Sequence, residues 1–393
     1  MGLIGAGAGI AAAPLWAQSL VDLHLPGGPS GRPIATGFPG KGPMVLQRSR
    51  GPLLETPFAA YDGQVFTPND RFFVRWHYAD IPTAVDVHAF RLKVLGAVKA
   101  PLELSLADLL GMDRVEIAAV NQCSGNSRGF FAPRVPGGQW GNGAMGNARW
   151  TGVRLKDVLD KAGVAPGAVQ VKLSGLDRPP GEAPAFAKSL DVAHAMDGEV
   201  MIAFQMNGEQ LPMLNGFPIR MVVPGWYSTY WVKALDRIEV LDKHDTGFWM
   251  DKAYLIPKTP RANVVPGAKG FPTEPINRMV PRSFVTNLAD GARVAAGKRF
   301  VARGLAFGGA HGVKAVELSL DNGRHWYPAA LGADEGRYSF RLWEIAAKAP
   351  TAGAYHLAVR CTNDAGETQM FDPIWNPGGF MRNPIERVAL VSA

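Results

Sequence analysis

The stretch Val115-Glu116-Ile117-Ala118-Ala119-Val120, followed by Asn121-Gln122-Cys123-Ser124-Gly125-Asn126-Ser127-Arg128, places a thiol on a loop at a strand end. The first part is mostly apolar and reads as a strand, whereas the second is polar and contains glycine, which is typical of loops. Arg128 would favour the thiolate of Cys123, the form that ligates metals or attacks electrophiles. Taken alone, the segment fits a reactive cysteine and an idle loop cysteine equally well.

The chain has only two cysteines, Cys123 and Cys361. This count excludes a disulfide framework, and the residues around Cys123 form no zinc, iron–sulfur or haem-attachment motif. They also lack the local pattern of papain-like proteases. In an alternating run, Cys361 shares a face with Leu357 and Val359, so we predict that it is a buried core thiol.

Charged side chains interrupt three other runs. In Phe72-Phe73-Val74-Arg75-Trp76-His77, an extended strand would place Arg75 and His77 on one face, where they either bind an oxyanion or simply face solvent. Arginine and lysine also interrupt the apolar residues at 215–225 and 231–233. Because a charge within an apolar run is costly unless it is paired, these runs favour an anionic partner.

Composition excludes several classes of protein. The chain is 47% hydrophobic and 19% charged, as in ordinary globular proteins, and its 46 glycines and 31 prolines favour a β-rich fold over a helix bundle. The net charge of +7 suits a small anionic substrate. No basic helix, zinc finger or aromatic RNA-binding signature is present, so nucleic-acid binding is not expected. Apart from a marginal run at the start, no stretch is apolar enough to span a membrane.

The sequence divides into five segments. Residues 1–17 resemble the remnant of an export signal, although no positive charge precedes the apolar run. Residues 18–60 are predicted to be an irregular arm, and residues 61–256 a mixed α+β domain. Residues 257–284 are rich in proline and glycine and are predicted to be a linker. Residues 285–393 are predicted to form a β-sandwich, since strands alternate there on either side of an Asn322-Gly323 turn.

Five motifs, in the same order along the chain, resemble the sulfite oxidase family. They are the run at 72–77, Cys-Ser-Gly-Asn-Ser-Arg at 123–128, Gly-Phe-Pro-Ile-Arg with Val-Val-Pro-Gly at 216–225, Trp-Val-Lys at 231–233, and the tail motifs at 318–326 and 372–376. The resemblance covers roughly residues 60–393. It implies a β-rich α+β fold, in which a sulfite-oxidase-type molybdopterin domain precedes an immunoglobulin-like β-sandwich dimerisation domain.

The resemblance also implies roles for individual residues. Cys123 matches the cysteine that ligates molybdenum. The matching catalytic positions are Arg75, His77, Arg128, Trp140 and Tyr254. The positions that match the pyranopterin site are Phe73, Val74, Arg75, Trp76, His77, Asp177, Asn215, Arg220, Trp231, Val232 and Lys233.

Two residues depart from the vertebrate pattern. Asn215 stands where vertebrate members have histidine, and it can hydrogen-bond but cannot carry charge. Gly378 stands where they have an arginine that helps to bind the anion. That charge is missing here, unless Arg382 or another group replaces it.

The resemblance implies oxidation of sulfite to sulfate at a molybdenum–pyranopterin centre. The chain looks like the bacterial branch of the family, so we expect a periplasmic homodimer that contains no haem and passes electrons to a c-type cytochrome. One alternative is a molybdenum-dependent periplasmic reductase of methionine sulfoxide or a related S- or N-oxide, which as a family lacks the dimerisation domain. The other is a non-catalytic binding protein that has lost its metal.

Overall fold

The computed structural model describes residues 19–393, so the predicted export signal at 1–17 lies outside the described residues. In the described part of the chain, none of the helices combines the length and hydropathy needed to cross a membrane. These residues form six β-sheets and four short α-helices.

Residues 18–60, predicted to be irregular, form most of a five-stranded antiparallel sheet. Its strands pair in chain order: β1 (Leu20–Asp22), β2 (Gly31–Ala35), β3 (Met44–Arg48), β4 (Leu53–Glu55) and β5 (Val74–Arg75). The prediction was wrong because these strands have only two to five residues, too few for alternation to stand out among glycines and prolines. The sheet brings the N-terminal arm against the segment that contains Arg75.

The following domain has the predicted mixed α+β character. Its strands are β6 (Leu92–Gly96), β7 (Leu102–Leu104), β8 (Val115–Gln122), β9 (Met145–Arg154), β10 (Gln170–Gly175), β11 (Ala187–Asp191), β12 (Met201–Met206), β13 (Glu209–Gln210), β14 (Arg220–Val222) and β15 (Leu235–Leu241). One sheet has the order β11-β10-β15-β6-β7, and the other has the order β13-β12-β9-β8 with β14 paired to β12. Because β8 pairs with β9 along its whole length, the strand end next to Cys123 is held firmly.

Four short helices accompany these strands: α1 (Leu106–Leu110), α2 (Leu155–Ala162), α3 (Val192–Ala195) and α4 (Phe248–Asp251). A capping box begins α1, since the Asp108 N–H donates to the Ser105 hydroxyl and the Ser105 N–H donates to the Asp108 carboxylate. Helix α2 buries one face and ends at Gly163, whose φ of 69° suits glycine.

The segment 257–284, predicted to be a linker, is packed against the rest of the protein. Strand β16 (Leu255–Pro257) pairs with β17 (Thr273–Pro275), and Ile276 is fully buried. Strand β18 (Arg282–Val285) already belongs to a sheet of the second domain. The predicted boundary at 284 therefore cuts through a strand, because proline-rich composition conceals short strands.

The second domain is a β-sandwich, as predicted. It comprises β18 together with β19 (Ala292–Val294), β20 (Arg299–Phe307), β21 (Val313–Ser319), β22 (Tyr327–Pro328), β23 (Ala330–Leu331), β24 (Arg341–Lys348), β25 (Gly353–Asn363) and β26 (Glu386–Ser392). Its sheets have the orders β18-β20-β24-β23 and β19-β26-β25-β21-β22. Asn322 and Gly323, with φ of 61° and 87°, form the predicted turn between β21 and β22.

Cys361 lies in the core of this sandwich with Leu357 and Val359, as predicted. It is fully buried, and burial raises the pKa of its thiol. This cysteine is therefore structural.

Candidate active site

Cys123 lies one residue beyond β8, in a turn fixed by backbone hydrogen bonds. Its N–H donates to the Ala144 carbonyl (2.9 Å), and its carbonyl accepts from the Asn126 N–H (2.9 Å). The Asn126 side chain in turn accepts from the Ala144 N–H (3.0 Å). Only 6% of the cysteine is exposed. The predicted strand-end loop is therefore confirmed, and it is rigidly braced.

The second domain holds the same loop from another side. The Arg282 guanidinium donates to the Ser127 hydroxyl (2.9 Å) and to the Glu386 carboxylate (2.5 Å). The Met381 N–H donates to the Ser124 carbonyl (3.1 Å). Arg282 is fully buried, and breaking a buried ion pair by removing one partner is costly. The position of Cys123 therefore depends on both domains.

A cavity with about 470 Å³ of space, which we call the inner cavity, opens beside Cys123. Nine predicted site residues line it: Phe73, Arg75, His77, Cys123, Asn215, Arg220, Trp231, Lys233 and Tyr254. From the run at 72–77, Phe73, Arg75 and His77 line the cavity together, as predicted from their shared strand face, and Phe72 lines it as well. The chain thus brings together residues that are far apart in sequence.

The inner cavity is strongly basic. Arg220 is buried, and its guanidinium donates to the carbonyls of Asn215 (2.8 Å) and Trp231 (3.3 Å). The Lys233 ammonium donates to the Arg75 carbonyl (2.7 Å). Burial lowers the pKa of Arg220 to about 9, and burial together with nearby Arg220 lowers the pKa of Lys233 to about 7. These cations hydrogen-bond to neutral carbonyl groups, so an anionic ligand would stabilise their charged forms.

Lys41 extends this basic cluster, although no motif in the sequence points to it. Its ammonium donates to the Asn69 carbonyl (2.7 Å), the Phe72 carbonyl (2.9 Å) and Asn215 Oδ1 (2.5 Å). Burial lowers its pKa to about 7. A cationic side chain therefore contacts Asn215, the position that cannot carry charge itself.

A second cavity, the outer cleft, has about 930 Å³ of space. Arg75, His77 and Tyr254 line both cavities, so the two share a wall. Arg128 lines the outer cleft, where Gly378 also lies. The predicted anion-binding residues thus surround an opening next to the cavity that contains Cys123.

Arg128 is held in place by backbone groups and an aromatic ring. Its Nε donates to the Gly378 carbonyl (3.1 Å), and its guanidinium lies 5.1 Å from the centre of the Phe380 ring. A Cβ atom at Gly125 or Gly137 would collide with this guanidinium. The two glycines therefore make room for the arginine.

His77 and Tyr254 form a polar pair between the cavities. Their side chains are 2.7 Å apart, from Nε2 to the hydroxyl, and the imidazole stacks on Phe186 at 3.8 Å between ring centres. Burial, followed by nearby Arg75, lowers the pKa of His77 well below its usual value. Burial raises the pKa of Tyr254. At neutral pH the pair is therefore uncharged, and the tautomer of the imidazole decides which of the two groups donates the hydrogen bond.

Arg382 does not supply the charge that is missing at Gly378. Its guanidinium lies 3.4 Å from the Glu386 carboxylate and 5.1 Å from the centre of the Phe130 ring, and it lines neither cavity. Of the two possibilities that the sequence left open, Arg382 is therefore not the replacement for the missing arginine. The strong local partner Glu386, which also binds Arg282, explains this.

Five other predicted site residues do not present their side chains to either cavity. Val74 and Trp76 pack in a separate core, since alternation along the strand turns them away from Arg75. Val232 and Trp140 are buried in the main core, and Asp177 is 4% exposed beyond the cavity walls. The predicted roles of these five residues at the pterin and anion sites therefore stay predictions.

Sequence reasoning missed several residues that line the cavities or brace them. They are Lys41, Arg48, Phe72, Asn121, Phe186, Ser228, Thr229, Trp249 and Phe380. Phe72 belongs to the motif at 72–77, Asn121 lies close to the motif at 123–128, and Ser228 and Thr229 lie between two other motifs. Lys41 and Arg48 had no comparable signal.

Comparison with known proteins identifies the family. Residues 78–249 match the oxidoreductase molybdopterin binding domain, and residues 273–392 match the Mo-co oxidoreductase dimerisation domain. The chain is 33% identical to sulfite oxidase of Gallus gallus over 375 residues, which are 91% of this chain and 80% of that protein. The chain belongs to the sulfite oxidase family. It is also 35% identical to mitochondrial sulfite oxidase of Homo sapiens, over 89% of this chain and 66% of that protein.

A solved structure supports the same fold. Sulfane dehydrogenase SoxCD of Paracoccus pantotrophus matches with a TM-score of 0.74 and 24% identity, over 88% of each chain. This chain spans about two thirds of the length of the human sulfite oxidase that it matches. The family matches cover residues in both domains described above.

The inner cavity fits the molybdenum cofactor of the sulfite oxidase family. Cys123 offers one soft thiolate ligand. Two buried donors at the cavity, Arg75 Nη1 and Asn121 Nδ2, have no hydrogen-bond partner among the described residues. With Arg220 and Lys233, they provide the donors and positive charge that an anionic pterin requires.

The cofactor-free protein should become more stable as the pH rises above about 7. Lys41 and Lys233 have pKa values of about 7 when folded, against an ordinary value of 10.5. Between these values the unfolded chain binds more protons, so the free energy of unfolding rises with pH, by at most about 1.4 kcal/mol per pH unit for each lysine. Urea unfolding at several pH values measures the slope, which should be shallower in Lys41→Met. An equal slope in that variant contradicts the assignment.

Proposed function

We propose that the chain oxidises sulfite to sulfate, with molybdopterin-bound molybdenum in the inner cavity and sulfite in the outer cleft. The observation that carries this proposal is the shared wall, where Arg75, His77 and Tyr254 separate a basic opening from the buried Cys123. The overall change converts sulfite and water into sulfate, two protons and two electrons.

The cofactor would supply the two-electron redox chemistry when bound, and the chain positions it. Cys123 would hold the metal, while Arg220 and Lys233 would bind the anionic part of the pterin by charge-assisted hydrogen bonds. Lys41 would orient the Asn215 amide through the hydrogen bond described above. Burial keeps these groups out of water. Their electrostatic interactions are stronger in the protein interior than they would be in water.

Arg75 and Arg128 would bind the oxygens of sulfite. Both line the outer cleft, and arginine binds oxyanions with two parallel hydrogen bonds. The Tyr254 hydroxyl would donate a hydrogen bond to an oxygen of the reacting anion. The neutral His77, in the tautomer that carries its proton on Nε2, would donate to the Tyr254 oxygen and so leave the hydroxyl proton free for the anion.

The same proposal includes an external c-type cytochrome as electron acceptor, a periplasmic location and a homodimer. The likeness of the sequence motifs to the bacterial branch favours the cytochrome acceptor and the periplasmic location, and the match to a dimerisation domain supports the homodimer. That match also favours sulfite oxidation over reduction of methionine sulfoxide, since the resemblance implies that the reductases lack this domain.

Steady-state assays of the purified, molybdenum-loaded protein test the proposal. We expect sulfite-dependent reduction of c-type cytochrome, with about two cytochromes reduced per sulfate formed, because sulfite loses two electrons and each haem accepts one. Reduction of methionine sulfoxide without oxidation of sulfite would support the alternative. Activity with oxygen alone would contradict the cytochrome acceptor.

Replacing Arg75 by glutamine should raise KM for sulfite by about 10- to 100-fold, because a hydrogen bond to a charged group contributes about 1.5–3 kcal/mol. Rates must be normalised to molybdenum content, since Arg75 also lines the inner cavity. Arg75→Lys keeps the charge but cannot form two parallel hydrogen bonds, so its KM should lie between those of the wild type and Arg75→Gln. An unchanged KM in Arg75→Gln would contradict the role of Arg75 in substrate binding.

A further inference from the structure

Arg48, at the end of β3, places a third guanidinium at the outer cleft. Its Nε donates to the Gly51 carbonyl (3.0 Å), and its Nη2 donates to the carbonyls of Trp76 (3.1 Å) and His77 (3.4 Å). The residue is nevertheless exposed. These bonds fix an exposed cation against the backbone segment that carries the substrate-binding residues.

The charge around Arg48 is unbalanced. Arg75 and Arg128 line the same cleft, and none of the described residues that line it is acidic. Partial burial, followed by the charge of Arg75, lowers the pKa of Arg48. In the described part of the chain, Arg48 forms no ion pair with a carboxylate. Three like charges around one opening repel one another, and a bound anion relieves this repulsion.

Arg48 and Arg128 differ in their exposure to solvent. Arg128 is 9% exposed, whereas Arg48 is in contact with solvent. Arg48 is therefore accessible to an anion in solution, whereas Arg128 is almost enclosed. Neither Gly378, which has no side chain, nor Arg382, which is paired with Glu386, places a charge there.

We propose that Arg48 determines substrate affinity by capturing the sulfite anion at the mouth of the outer cleft, ahead of Arg75 and Arg128. This inference rests on the proposed function. It gives β3 a direct part in anion recognition, beside β5 of the same sheet, which carries Arg75; both strands lie outside the two matched domains. Because the contact is exposed, its contribution should weaken as salt concentration rises.

Steady-state kinetics of Arg48→Gln, at low and high ionic strength, test the proposal. We expect kcat/KM for sulfite to fall about tenfold at low salt with kcat within about twofold, since the charge acts on capture rather than on chemistry. The inhibition constant of sulfate should rise by a similar factor. The difference from the wild type should shrink at high salt.

Arg50→Gln is the matched control, because it makes the same charge change at an exposed position two residues away that lines neither cavity. Its KM and salt dependence should remain those of the wild type. Equal kinetics in Arg48→Gln and Arg50→Gln would overturn the proposal, and so would a loss of molybdenum from Arg48→Gln with KM unchanged, which would indicate a structural role. Failure of the wild type to oxidise sulfite would instead overturn the proposed function.

Discussion

Replacing Cys123 by serine should abolish turnover while the protein stays folded and retains its pterin. A serine hydroxyl is a hard, neutral donor at neutral pH, whereas a thiolate is a soft anionic ligand suited to this metal. Loss of a group that merely supports a ligand costs about 10- to 100-fold in affinity or activity, so loss of the ligand itself should cost more than about 100-fold. Steady-state rates, with molybdenum and pterin assayed separately, measure the effect.

Cys361→Ala is the matched control for this experiment. Cys361 is the other thiol of the chain and is buried, as Cys123 is. It lies in the core of the sandwich and not at the cavity. We expect Cys361→Ala to lower stability by about 1 kcal/mol, as for other small core truncations, and to leave molybdenum content and turnover unchanged. Near-normal activity in Cys123→Ser would refute the assignment of the metal ligand.

Replacing Arg220 by methionine should produce the second large effect, which is loss of the cofactor. Arg220 is 3% exposed and lies 5.0 Å and 5.8 Å from the ring centres of Trp150 and Trp231. Methionine fills a similar space, so the pocket should keep its shape while losing the charge that faces the pterin. Pterin per chain should fall at least about tenfold, because a buried charge-assisted hydrogen bond contributes about 1.5–3 kcal/mol.

The stability of the cofactor-free variant separates this effect from misfolding. Loss of this buried charge removes its desolvation cost, and this offsets the loss of its hydrogen bonds to the Asn215 and Trp231 carbonyls. The thermal midpoint of cofactor-free Arg220→Met should therefore lie close to that of the cofactor-free wild type. Arg237→Met, at an exposed position of β15, should retain the cofactor. A normal pterin content in Arg220→Met, or a collapse of stability, would contradict the role assigned to Arg220.

The parts of the fold that sequence predicts are those with regular periodicity. Helix α2, the Asn322-Gly323 hairpin and the burial of Cys361 follow from patterns that span several residues. The N-terminal sheet was missed because its strands are shorter than a recognisable pattern. The boundary at 284 was misplaced for the same reason, since β18 follows a proline-rich segment directly.

The site shows the same division. Residues within motifs, such as Arg220 and Lys233, were correctly predicted to lie at the cavity, because the surrounding residues of each motif identify the position. Lys41 was missed because its contact with Asn215 spans 174 residues of sequence. The role of Trp140 stays a prediction, since the resemblance carries a position but not a contact, and the residue is 1% exposed.

The most direct test of the account is the molybdenum content of the purified full-length chain, expressed in cells that make the molybdenum cofactor. We predict about one molybdenum and one pterin per chain in the wild type, because a single thiolate site serves one metal ion. A folded wild-type protein that carries neither molybdenum nor pterin under these conditions would contradict the account.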